Sequence, residues 1–130
     1  MTRPLLIENA RLVDPASNTD STGAVLVEDG LIADIAIGAP IGVPDGAEVI
    51  NANGLVLAPG LIDMRVFTGE PGKEYRETLQ SAGEAAAAGG VTSFVMMPDT
   101  TPVVDDGALV DFLIRRAKAT SKVNVLPAGA

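Results

Sequence analysis

Carboxylates and cations supply nearly all the chemistry available to this chain. Its 130 residues include seventeen Asp and Glu, nine Lys and Arg, no histidine and no cysteine. A Ser–His or Cys–His nucleophile pair is therefore impossible within it. Disulfides and thiolate metal sites are excluded with them. No G-x-G-x-x-G, P-loop or G-x-S-x-G motif occurs. The remaining candidates gather in residues 58–72, Ala-Pro-Gly-Leu-Ile-Asp-Met-Arg-Val-Phe-Thr-Gly-Glu-Pro-Gly, and in Met97-Pro98-Asp99-Thr100-Thr101-Pro102-Val103. Asp63, Glu70 and Asp99 could in principle hold a cation by carboxylates alone, but they lack tight ligand spacing. Asp63 reads more simply as a turn or network acid at a strand end. Arg65 and Phe67 cannot ligate zinc, which needs a neutral imidazole, a thiolate or a carboxylate. Glu70-Pro71-Gly72 and Asp99-Thr100-Thr101-Pro102 read as loops with ordinary turn chemistry.

Two rhythms position these residues. Residues 1–57 hold short β-like runs separated by turn signals, and they read as a small antiparallel sheet. Leu5-Leu6-Ile7 leads to a turn at Asn9-Ala10, and Arg11-Leu12-Val13 runs into Asp14-Pro15. Ala24–Glu28 and Leu31–Ile35 flank Asp29-Gly30, a strong two-residue hairpin signal. Glu48-Val49-Ile50 and Leu55-Val56-Leu57 flank a turn at Asn51–Gly54. Residues 58–130 read as β-α-β-α-β, the order of parallel crossover units. The expected elements are a strand Leu61–Phe67, a helix from about Glu74 to Ala88, a strand Val91–Met97, a helix capped by Asp105 or Asp106, and a strand Val123–Leu126. The first helix shows a stripe of Tyr75, Leu79, Ala82 and Ala86, and Gly89-Gly90 stops it. The second presents Leu109, Phe112, Leu113 and Ala117, with Arg115, Arg116 and Lys118 near its C-terminal end, where the dipole favours cations. Alternation along the first strand of this half places Asp63, Arg65 and Phe67 on one face and Met64 and Val66 on the other.

Composition narrows the function classes. With three Phe, one Tyr and no Trp, the core must be built from Val, Leu, Ile and Ala, as is common in parallel α/β folds. A net charge of −8 opposes binding to phosphate backbones. No basic amphipathic segment, signal-like leader or apolar run of membrane-spanning length occurs, so the expected location is the cytoplasm.

The motif order resembles the dihydroorotase family of metal-dependent amidohydrolases. That family's pattern P-G-L-I-D-M-H-V-H-L-R-E-P-G aligns with Pro59–Gly72. Ala85–Thr92 looks like its A-A-A-A-G-G-x-T, Met97–Val103 like M-P-N-T-x-P-x, and Val123–Ala130 like its third strand with a P-x-G-A ending. Asn9–Pro15 resembles the β-rich domain that precedes the barrel. The resemblance implies an α/β fold: a small β-sheet domain over 1–57, then the first three strands and two helices of an incomplete (β/α)₈ barrel over 58–130. Three strands of eight cannot close, so the chain is expected to be part of a longer protein or to complete its fold with another chain.

In such barrels the functional side chains sit at the C-terminal ends of the strands, and two histidines of the first strand hold a zinc that activates water for attack on a cyclic amide. By the resemblance, those positions are Arg65 and Phe67 here. The family's substrate-gripping arginine and asparagine correspond to Gly69 and Asp99. Metal and substrate positions have both degenerated, so neither a catalytic residue nor a bound metal or other cofactor is expected in this chain. The resemblance then implies an inactive homologue, of the kind that partners aspartate transcarbamoylase in pyrimidine biosynthesis. Arg65 either replaces the metal electrostatically, with Phe67 filling the vacated volume, or pairs with Asp63 or Glu70.

Overall fold

Aliphatic runs in residues 5–57 become five strands: β1 (Leu5–Asp14), β2 (Thr19–Glu28), β3 (Leu31–Ile37), β4 (Glu48–Asn51) and β5 (Val56–Leu57). The computed structural model describes residues 2–130 and divides into two units, Met1–Pro59 and Gly60–Ala130. In the first unit the sheet order is β3-β2-β1-β4, with β5 also on β1. β1 pairs antiparallel with β2, and β2 antiparallel with β3. Asp29 and Gly30 both take positive φ, 48° and 79°, as the hairpin between β2 and β3 demands.

The sheet is not purely antiparallel, because β4 and β5 both run parallel to β1. The expected turn at Asn9-Ala10 is instead a bulge inside one continuous strand. Asn9 adopts φ 61°, and the β1–β2 register shifts between Ile7 and Ala10. Asparagine tolerates this left-handed geometry better than most residues. Beside the bulge the chain leaves the edge of β1 after Asn51 and rejoins it at Val56 without reversing. Ala52 N donates to Glu8 O at 2.8 Å, Arg11 N to Leu55 O at 3.0 Å, and Asn9 Nδ2 to Asn51 Oδ1 at 3.2 Å. The Asn51–Gly54 turn is thus an excursion that matches the bulge. Leu6, Ala24 and Leu26 form one buried cluster of this unit, and Ala10, Leu12, Val25 and Ala52 form another.

The second unit alternates β6 (Leu61–Val66), α1 (Leu79–Ala88), β7 (Val91–Met96), α2 (Gly107–Thr120) and β8 (Asn124–Pro127). Its three strands are parallel in the order β6-β7-β8. α1 begins five residues later than the periodicity suggests. Thr78 caps it: Ser81 N donates to Thr78 Oγ1 at 3.1 Å, and Thr78 N donates to Ser81 Oγ at 3.0 Å. This reciprocal box satisfies two otherwise orphaned donors. Tyr75 therefore lies in the preceding turn, 85% exposed, and takes no part in the stripe. Asp106 caps α2, accepting from Ala108 N at 2.7 Å.

Leu79, Phe94, Met96, Leu113 and Val125 join β7, β8 and both helices into one core. Burying each such side chain contributes about 1.5–3 kcal/mol. Phe112, expected on the buried face of α2, is 45% exposed. No helix among the described residues is long and apolar enough to cross a membrane.

Candidate functional site

The loops after β6 and β7 enclose a cleft of about 340 Å³. Phe67, Thr68, Gly69, Lys73, Arg76 and Glu77 come from the first loop, and Asp99 and Thr100 from the second. Three of the four sequence-predicted positions, Phe67, Gly69 and Asp99, therefore meet in one cavity. Arg65 stands beside it: its guanidinium carbon lies 5.3 Å from the centroid of the Phe67 ring, a cation–π distance. Both side chains are exposed.

Asp63 does not join them. The β6–β7 register shifts between Asp63 and Val66, which breaks strict alternation, and Asp63 lines a groove with Val66, Ala82, Ala86 and Phe94. Its Oδ1 accepts from Arg65 N at 2.9 Å, so it acts as a local network acid. Arg65 makes no ion pair among the described residues, with Asp63 or with Glu70.

Glu70 is engaged elsewhere, and no sequence pattern announces it. Its side chain is only 6% exposed, and Oε1 accepts from Arg116 Nε of α2 at 2.7 Å. Its Oε2 accepts from Leu79 N, the first residue of α1, at 2.8 Å. One carboxylate thus ties the β6 loop to both helices. Thr101 N donates to Pro71 O at 3.0 Å, joining this loop to the one that carries Asp99. The Glu74 carboxyl is held below its ordinary value, chiefly by the N–H of Gly72 at 2.9 Å, then by its own N–H and by the positive charge of Arg116. Glu70-Pro71-Gly72 therefore does more than form a turn: it anchors the cleft.

Gly69 has a steric role. A Cβ there would overlap the carbonyl oxygen of Lys73, and it would lie 2.6 Å from Glu77 O and 3.0 Å from Glu77 N. These are backbone atoms, which cannot swing aside as a flexible side chain can. The turn closes on Gly69 through a hydrogen bond from Lys73 N to Gly69 O at 2.7 Å. Lys73, Arg76 and Glu77 thereby become part of the cleft. Sequence periodicity hid this by assigning Glu74–Glu77 to the helix.

The zinc that the resemblance implies does not fit the residues present. Arg65 and Phe67 offer no lone pair to a cation, and no group of three His, Cys, Asp or Glu converges on a possible metal position among the described residues.

A family model described as dihydro-orotase-like matches residues 54–130. The chain is 46% identical over 127 residues to a dihydroorotase of Solibacter usitatus, and 44% identical over 126 residues to one of Geobacter metallireducens. These matches cover 98% and 97% of this chain, which spans 29% of the length of either relative. Among solved structures, L-hydantoinase (dihydropyrimidinase) from Arthrobacter aurescens superposes with a TM-score of 0.86 at 26% identity, over 99% of this chain and 28% of that one. D-hydantoinase (dihydropyrimidinase) from Thermus sp. gives 0.72 at 25% identity, over 95% and 26% respectively. With a family model matching more than half of it and a mixed α/β architecture shared with these solved structures, the chain belongs to the dihydro-orotase-like family.

Proposed function

We propose that this chain is the amino-terminal part of a non-catalytic dihydroorotase-like protein, with a structural role in pyrimidine biosynthesis as a partner of aspartate transcarbamoylase in the cytoplasm. On this reading residues 1–57 are the β-rich small domain and residues 58–130 begin a (β/α)₈ barrel. The rest of a longer chain, or further subunits, completes the assembly. The parallel β6-β7-β8 sheet with its two crossover helices supports the barrel assignment. One observation supports the loss of catalysis: Arg65 and Phe67, which the motif resemblance sets at the family's first-strand ligand positions, lie within cation–π distance of each other. An arginine beside a cation would oppose its binding.

A second reading keeps the activity that the relatives' names state. The full protein would then hydrolyse a cyclic amide with metal ligands from later strands, since barrel sites draw residues from several strands. Metal analysis of the intact protein together with a dihydroorotate turnover assay separates the two. The proposed function predicts sub-stoichiometric zinc and no turnover above background. Stoichiometric zinc with turnover would establish the second reading.

A further inference from the structure

Several charged groups of this unit form no ion pair among the described residues, and four of them share one cavity. Arg116 pairs with Glu70, Arg115 with Asp111, and Lys122 with Glu84. Lys73, Arg76, Glu77 and Asp99 all line the same 340 Å³ cavity, yet none forms an ion pair among the described residues. Because residue 69 has no side chain, the 73–77 turn settles onto its backbone, and Arg76 N donates to Lys73 O at 2.9 Å. This holds the two cations three residues apart at one cavity.

The other loop adds a carboxylate, Asp99, to that of Glu77. Thr100 is buried, and its hydroxyl already donates to Pro102 O at 2.7 Å, so towards a ligand it presents acceptor lone pairs. Phe67 adds an apolar surface. The volume lies at the lower end of the range for small-molecule sites.

We infer that this cleft binds a small zwitterion of amino-acid size, its carboxylate against Lys73 and Arg76 and its ammonium against Asp99 and Thr100. Phe67 would cover the methylenes between. The inference goes beyond the proposed function, because it holds whether or not later strands bring a metal.

The test is an amide chemical-shift titration of the ¹⁵N-labelled intact protein with β-alanine, beside propionate, which lacks the ammonium, and propylamine, which lacks the carboxylate. The expected result is a saturable shift confined to Gly69, Lys73–Glu77 and Asp99–Thr100, with both controls at least about tenfold weaker. K73Q/R76Q and, separately, D99N should each weaken β-alanine by about tenfold or more, while K118Q leaves it unchanged. Lack of saturation, or a control that binds as well as β-alanine, would overturn the inference. So would unchanged binding in D99N, whose side chain makes no hydrogen bond among the described residues and whose spectrum is therefore expected to stay dispersed. Zinc content and turnover are read separately, so failure here is distinguishable from failure of the non-catalytic reading.

Discussion

Two adjacent arginines on α2 should differ sharply in their value to the fold. Arg115 pairs with Asp111 at 2.7 Å, but the two side chains are 73% and 62% exposed. Such an i,i+4 pair contributes about 0.3–0.5 kcal/mol. Arg116 pairs at the same distance with Glu70, whose side chain is 6% exposed while that of Arg116 is 45% exposed. Arg116→Met keeps much of the aliphatic volume and removes the charge. Glu70 is then left in the interior with one neutral donor, Leu79 N. Breaking a fully buried pair from one side costs about 3–5 kcal/mol. Water reaches the arginine end here, so about 2–3 kcal/mol is expected, near the upper range for a hydrogen bond to a charged group. Urea denaturation of R115M and R116M, fitted with a common m-value, measures the contrast. Glu70→Gln/Arg116→Met should recover part of the loss, because no uncompensated charge remains, giving a coupling of about 1–2 kcal/mol. If R116M costs no more than R115M, Glu70 is not a buried anchor and the account of the cleft's support is wrong.

Three further outcomes follow from the same reasoning. Thr78→Ala should cost about 1 kcal/mol by removing the N-cap of α1, and Thr78→Ser should restore it, as chemical denaturation would show. Arg65→Ala should change the stability of this chain by no more than about 0.5–1 kcal/mol, the worth of an exposed cation–π contact; a larger loss in a thermal melt would mean that Arg65 is integrated into the fold. The hydrogen bond from Arg11 and its charge hold the Asp20 carboxyl below its ordinary value of 3.8, and Arg11 is raised in turn. A lowered folded value stabilises above the ordinary carboxylate range and is lost as pH falls through and below it. Asp20→Asn should therefore flatten the acid limb of a stability–pH profile, and an unchanged limb would show that the pair contributes nothing.

Local signals were readable where neighbouring residues alone decide geometry. Asp29-Gly30 specifies its hairpin because two successive positive φ angles are needed there. Asp106 and Gly89-Gly90 bound their helices by satisfying, or ending, backbone bonds within a few residues. Periodicity failed at Glu74–Glu77 because Tyr75 fits the helical spacing of Leu79, while the capping chemistry of Thr78 and Ser81 starts the helix later. The direction of β4 and β5 escaped the sequence as well. An Asn-Gly turn looks alike whether it reverses a chain or matches a bulge, and only the partner strand distinguishes the two.

By itself, the sequence determined which donor types this chain lacks. It has no imidazole and no thiol, and donor chemistry belongs to residue types rather than to their placement. Tertiary structure decided what the surviving residues do. Glu70 becomes a buried anchor only because Arg116, 46 residues away, reaches it. Gly69 is needed as glycine only because another turn's backbone rests on it. Burial and close approach depend on neighbours distant in the chain, so both were fixed only when the loops after β6 and β7 met the helices.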